Sequence, residues 1–296
     1  MNFQPQPTRS GFVLLAIAFV TGAATAWLVG ILLQQSDPAK LFQWLMALFI
    51  MLILTGLALY WMVIAFKLHY HLNRNGLAIE WGLGQQRIPF ENIQQIVPAK
   101  SLAANAAYRG VNLAGLRFGS GNLTDYGTLK FRTTAPLENS LLVVTTDQSY
   151  VISPLQPDRF LEAWQVRQPL GPTQHWTEDI RRHWPLSIPI LNDQLMWALL
   201  GASAFLLLTL LGSIALNYAD YPGALPIHFD NLGRADRIAP KIALFILPAV
   251  GGIVWLVNAV LGTLIYRREC VAAYLLWGST AVMQFCLWIA LLTITS

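Results

Sequence analysis

Five stretches of this chain, residues 11–33, 41–66, 194–217, 242–265 and 271–294, contain no Asp, Glu, Lys, Arg or His. Each runs about 22 to 26 residues, enough to cross a roughly 30 Å hydrocarbon core as a helix. A bilayer offers no water to exposed peptide groups, so such stretches become helices that satisfy their own backbone. Between the second and third stretches lies a polar block of about 125 residues, large enough to fold alone. The chain is therefore expected to be a multi-pass membrane protein with an inserted polar domain.

Hydrophobic residues make up 55% of the sequence and charged residues 11%, which fits that class and not an ordinary soluble domain. The net charge of +4 is spread over scattered basic residues without a Lys/Arg run, so no nucleic-acid partner is expected. The two cysteines, Cys270 and Cys286, form no Cys-x-x-Cys or Cys/His cluster. They predict neither a disulfide framework nor a zinc site, and no cofactor is expected.

Basic residues near the spans set the expected topology. Arg9, Lys67, Arg74, Arg181, Arg182, Arg267 and Arg268 fall at one set of ends, against Lys40, Arg234, Arg237 and Lys241 at the other. The positive-inside rule then places the N-terminus and the polar block in the cytoplasm, with loop 218–241 and the C-terminus outside. The spans carry no ionisable group, which argues against a proton- or ion-coupled transport path. Their polar residues Gln43, Asn258 and Gln284 read as interhelical hydrogen-bonding groups. Gly22, Ala26 and Gly30 offer a face for close helix approach, and Pro248 with Gly251 and Gly252 suggests a kink or tight crossing.

The central block reads mainly as strands. Segments 68–73, 77–81 and 86–90 alternate partly and are punctuated by Asn75-Gly76 and by Gly82 and Gly84, a hairpin signature. Further strands are expected at 127–132, 141–146 and 150–152. Ser153 followed by Pro154 predicts a helix start, and Phe160, Leu161 and Trp164 give that helix an apolar face. The stretch 103–121, with Gly110, Gly115, Gly119 and Gly121, reads as a long hairpin or surface loop; it lacks the Gly-x-x-x-x-Gly-Lys-Ser/Thr phosphate pattern. His69 and His71 alternate on one strand, but with no third ligand in view they predict no metal site.

The run from His69 to Leu77, the Ile88-Pro89-Phe90-Glu91-Asn92-Ile93 corner, and Tyr150 to Pro154 with Phe160 resemble the bacterial pleckstrin-homology-like (PH-like) domains. The resemblance covers about residues 67–168 and implies a β-barrel or sandwich closed by one C-terminal helix. Lipid binding in eukaryotic relatives generally uses a basic cluster in the first hairpin loop, and here that loop offers Arg74 alone. A protein-contact or structural role is therefore expected, with Arg74, Arg109 and Arg117 as the candidate contact residues.

The loop between the third and fourth spans carries the most distinctive motif. Leu225, Pro226, His228, Phe229, Asn231, Gly233, Asp236 and Lys241 resemble the Pro-x-His-Phe/Trp-Asn loop of an uncharacterised membrane domain shared with SdpI-like immunity proteins. Asp230 stands directly after Phe229 and displaces the Asn by one place. The resemblance implies a membrane module associated with toxin immunity or signalling in a few members. Pro226, His228, Asp230, Asn231, Gly233, Asp236 and Lys241 are the candidate binding residues. Physically, His228, Asp230 and Asp236 suit a divalent metal or an acid-base group, while helix capping and headgroup contacts fit the same residues.

The expected architecture is an α+β membrane protein with five transmembrane helices. Residues 1–66 form a two-helix anchor, 67–168 the PH-like domain, 169–193 a juxtamembrane linker, and 194–296 a three-helix module with external loop 218–241. The expected function is non-enzymatic, with no catalytic residue: recognition of membrane lipids or a protein partner at the plasma membrane, in a regulatory or scaffolding role. Toxin immunity or signalling is the alternative reading, followed by a metal-dependent membrane hydrolase.

Overall fold

The computed structural model describes residues 1–102, 107–123, 126–183, 188–229 and 235–295. A short strand β1 (Asn2–Phe3) precedes the long helices α1 (Ser10–Leu32) and α2 (Pro38–Lys67). Strands β2 (Leu68–Leu72), β3 (Gly76–Trp81), β4 (Gly84–Pro89), β5 (Ile93–Pro98), β6 (Ala107–Leu113) and β7 (Leu116–Leu123) follow. After them come β8 (Gly127–Thr133), β9 (Leu141–Thr145), β10 (Ser149–Ile152), helix α3 (Pro157–Arg167) and β11 (Asp179–Arg182). The chain ends with α4 (Gln194–Leu216), the hairpin β12 (Ala224–Phe229) and β13 (Ala235–Pro240), α5 (Ile246–Ile265) and α6 (Cys270–Thr295).

Helices α1, α2, α4, α5 and α6 are each long and apolar enough to cross a membrane. They coincide with the five charge-free stretches, and large apolar side chains such as Phe19, Leu264 and Leu292 stand exposed on them, as contact with lipid requires. The chain is a multi-pass membrane protein. Its contacts divide it into two compact units, Met1–Ala24 with Met51–Ser187, and Thr25–Ile50 with Ile188–Ser296.

The first unit holds two sheets, one in the order β1-β2-β3-β4-β11 and one in the order β5-β9-β10-β8-β7-β6. All pairs are antiparallel except β8 with β10. Leu72, Leu77 and Ile88 of the first sheet and Leu116, Val143 and Ile152 of the second meet in one core. Helix α3 closes it by burying Phe160 and Ala163, as expected for a PH-like domain. The last turns of α2 join the same core through Ile64 and Ala65.

Two strands of the first sheet come from outside the expected domain. β1 pairs with β2 and sends Phe3 edge-on against Phe160, with ring centres 5.0 Å apart. The segment after it continues along the domain, Gln6 N donating to Ser153 O at 2.8 Å and Thr134 Oγ1 to Gln6 O at 2.7 Å. At the other edge β11, within the stretch expected as linker, pairs with β4 over four residues. Helix α3 also starts later than the Ser153-Pro154 signal predicts, with Pro157 in its first turn. Ser153 is committed elsewhere: its Oγ accepts from Thr134 N at 2.9 Å, and Pro154 bridges to Pro5. The chain therefore stays extended through that point.

Tyr70 holds the two sheets together. Its hydroxyl donates to Arg132 O at 2.7 Å and accepts from Ser153 N at 3.1 Å. Burial pushes its pKa up to about 12, because a phenolate would be left without water.

In the second unit α4, α5 and α6 pack as a bundle. Gln284 Nε2 donates across helices to Gly251 O at 2.8 Å, and Asn258 Nδ2 to Thr280 Oγ1 at 3.0 Å, so these polar residues join helices as expected. Gln43 is exposed on α2. The close approaches fall at Gly251 against Gln284, Gly262 against Trp277 and Gly212 against Phe42. At Gly22 and Gly30 no atom of the described residues lies within 4 Å of where a Cβ would stand, so these two glycines of α1 mark no close helix approach among the described residues. Asp193 caps α4 through Leu195 N and Met196 N. Its other oxygen accepts from Tyr266 OH at 2.6 Å and Tyr274 OH at 2.5 Å. Those tyrosine bonds hold the carboxyl down at about 2, and the cluster ties the start of α4 to α5 and α6.

Candidate functional site

The stretch 103–121 becomes, over its described residues, the hairpin β6–β7. Its turn needs Gly115, which adopts φ +102° beside Ala114 at φ +45°. Gly110 and Gly119 lie opposite each other, so close that a Cβ on Gly119 would stand 2.4 Å from Arg109 O. The glycines serve a tight strand crossing and a turn, which is why the stretch looks irregular in sequence and lacks a phosphate-loop pattern.

One cross-strand row runs Val143, Tyr150, Lys130, Ser120 and Arg109 over β9, β10, β8, β7 and β6. Directly paired residues share a face, so the row passes from core to Tyr150 and then to two cations flanking a hydroxyl. The next pair, Asn122 with Thr128, borders a cleft of about 310 Å³ lined by Arg109, Ser120, Lys130, Asn122, Thr128 and Tyr108. Among the described residues no carboxylate lines it. Two cations with hydroxyl and amide groups between them form a hydrogen-bond donor surface for an anionic group.

The other expected contact residues lie apart from this cleft. Arg74 is exposed in the β2–β3 turn. Arg117 pairs with Asn112 and Thr133, and strand alternation sets it on the opposite face from Ser120. Lys130 was not singled out by sequence; only its register beside Ser120 brings it to Arg109. Arg132 is a cation of a different kind. Its guanidinium lies 3.9 Å from the Phe118 ring centre and 5.3 Å from that of Trp81, Nη1 donates to Phe131 O at 2.8 Å, and burial lowers its pKa to about 10. No carboxylate pairs with it among the described residues. It is a packed strut between the domain's aromatic side chains.

The loop between α4 and α5 is a bulged β-hairpin. Leu225 is buried among Leu210, Ile214, Leu244 and Leu291, and Pro226 pairs with Ile238. His228 stands opposite Arg237 in the ladder, and Asp236 lies in β13. Asp230, Asn231 and Gly233 lie outside the described residues. Lys241 closes the base: Nζ donates to Tyr218 O at 2.8 Å and Tyr221 O at 3.3 Å. Its ammonium is thereby engaged in holding the loop. No group of three metal-ligating side chains occurs among the described residues. His71 instead meets Glu80 at 3.3 Å, and His69 Nδ1 lies 3.0 Å from Lys67 O.

Comparison with known families places both modules. Residues 68–168 match the family described as Bacterial PH domain, the barrel just described without β1 and β11. Residues 204–252 match the Domain of unknown function DUF1648, which spans most of α4, the hairpin and the start of α5. No curated protein and no solved structure matches the chain.

Proposed function

We propose that this is a non-enzymatic membrane protein whose PH-like domain recognises an acidic segment of a protein partner and acts as a regulatory or scaffolding component. The observation that carries the reading is the open cleft between Arg109 and Lys130, without a carboxylate among its described lining residues. Such a surface is electrostatically complementary to an acidic patch, which favours encounter and register. In this reading the domain lies in the cytoplasm and the hairpin outside, following the distribution of basic residues.

The test is to crosslink tagged full-length protein in its native host and identify neighbours by mass spectrometry. Wild type is compared with Arg109→Glu/Lys130→Glu. Loss of one specific neighbour in the variant is expected; an unchanged set of neighbours removes the cleft from the reading. Sidedness is read by labelling Ser120→Cys and Ala224→Cys with an impermeant reagent in intact cells. Labelling at position 224 alone is expected, and labelling at position 120 alone inverts the topology.

A second reading is immunity or signalling through the hairpin, as in the SdpI-like proteins. It is favoured by the anchoring of the hairpin to the bundle through Leu225 and Lys241. Its test is the same crosslinking with His228→Ala/Asp236→Ala, where loss of an external neighbour is the supporting result.

A further inference from the structure

Residues 173–183 lie along the first sheet as a strap, after the helix that closes the domain. At its start Asn75 Oδ1 accepts from Thr173 N, Thr173 Oγ1 and Gln174 N at 2.8 to 3.0 Å. The strap then runs as β11 on the edge of β4, and His183 N donates to Leu83 O at 3.0 Å.

Just before β11, Glu178 enters a notch of three neutral donors. Its Oε1 accepts from Tyr150 OH at 2.6 Å and Gln148 Nε2 at 3.0 Å, and its Oε2 from Asn92 Nδ2 at 2.9 Å. Tyr150 is fully buried, and its pKa is raised by that burial and by the neighbouring carboxylate. Both carboxylate oxygens are thus satisfied without a cation. Charge-assisted bonds of this kind are shorter and stronger than neutral ones.

The strap contributes nothing to the two apolar clusters of the domain. Thr173, Gln174, Arg181 and Arg182 are exposed, and Ile180 is 52% exposed. Its half-buried Trp176 lies under the Arg87 guanidinium, 5.1 Å from the ring centre, and its other anchors are polar, so the strap can open as a local unit while the core it lies on stays folded. What remains when it opens is an unpaired strand edge beside three donors placed for a carboxylate. Strand edges bind extended peptides by main-chain pairing, and side-chain pockets beside them supply specificity.

We propose that the β4 edge and the Asn92, Gln148 and Tyr150 notch form a binding site for an extended, glutamate-bearing segment of a partner protein, which the strap fills in cis. This deepens the partner-binding reading by adding a second surface, separate from the Arg109 and Lys130 cleft. Because the strap competes intramolecularly, it holds the advantage of high effective concentration, and its release sets the apparent affinity for the partner.

The test uses full-length protein in detergent with Cys270→Ser and Cys286→Ser, carrying Gln85→Cys and Arg181→Cys. These two positions face each other across β4 and β11, within the spacing a disulfide needs. Oxidation locks the strap and reduction frees it in the same folded protein. The probe is a fluorescent peptide of residues 173–183 with serine at 181, read by anisotropy. Binding to the reduced protein, at least about tenfold weaker once locked, is expected. Replacing the peptide's glutamate by glutamine is expected to weaken binding severalfold, and adding Glu178→Gln to the receptor to strengthen it.

Equal binding in the locked and reduced states, indifference to the peptide's glutamate, or no binding even with Glu178→Gln would each overturn the proposal. Formation of the intramolecular disulfide verifies that the strap is docked in the protein used. The locked and reduced proteins carry the same Arg109 and Lys130, so a difference between them reports the β4 edge alone, while the crosslinking comparison with Arg109→Glu/Lys130→Glu reports the cleft. The edge site and the cationic cleft therefore fail separately.

Discussion

The ammonium of Lys241 lies 4.6 Å from the centre of the Tyr218 ring while donating to the carbonyl of the same residue at 2.8 Å. One side chain thereby ties the end of β13 to the turn that follows α4. The lysine that completes the loop motif is a structural clasp, and the hairpin is held at its base independently of any ligand.

Replacing that clasp by an isostere without charge, Lys241→Met, leaves two carbonyls short of a donor and should cost about 1 to 3 kcal/mol of local stability. The hairpin would then be cut by protease faster than in wild type, with the same cleavage sites. Unchanged cleavage kinetics would show that Leu225 alone anchors it.

Tyr70→Phe should destabilise the PH-like domain by about 1 to 3 kcal/mol, since Arg132 O and Ser153 N lose a buried partner. The same residue sets an alkaline limit. Its folded pKa of about 12 stands above the ordinary value of 10.0, so its contribution is fully present below pH 10 and is lost as pH rises through about 12. Tyrosinate absorbance of the folded domain should therefore lag behind that of the denatured chain, and the Phe variant should lose part of the lag.

Phe3→Ala should destabilise the same domain by about 3 to 5 kcal/mol, the usual cost of emptying a buried aromatic site. Phe3 is 6% exposed and packs on Phe160, although it precedes the first span in sequence. Denaturant unfolding followed by tryptophan fluorescence measures the loss; a neutral variant would mean that β1 is dispensable.

Gly262→Ala should destabilise the three-helix bundle by about 1 to 3 kcal/mol through overpacking, because its Cβ would stand 2.2 Å from Trp277 Nε1. Gly22→Ala should be neutral or slightly stabilising, since no atom lies within 4 Å of that Cβ and alanine favours helix. Thermal unfolding in detergent compares the two. A Gly22→Ala loss equal to that of Gly262→Ala would reveal a helix contact on α1 formed with another chain.

The spans were legible because hydrocarbon imposes one solution on a long charge-free stretch: a helix that satisfies its own backbone. The strand pairs β2–β3 and β9–β10 were legible for a similarly local reason, since turn residues and alternation act over a few positions. The PH-like barrel followed from those signals and from the motif at its corners. The hairpin β6–β7 was harder to read, because Gly110 and Gly119 weaken strand propensity for the sake of a close crossing that exists only between two strands.

Other features depend on residues far apart in sequence, and no local pattern announces them. β1 is too short to read as a strand; it becomes one because β2 offers an edge and Phe160 a partner. Glu178 looks like one more linker carboxylate until folding aims Asn92, Gln148 and Tyr150 at its oxygens. Lys130 joins Arg109 only through the register of β7 between them. Sequence alone determined which segments enter the membrane and where β2 to β4 and β8 to β10 form, because solvation and backbone preference act locally. Tertiary structure decided which side chains share a cleft, a notch or a clasp, because those depend on the register and packing of segments that sequence leaves apart.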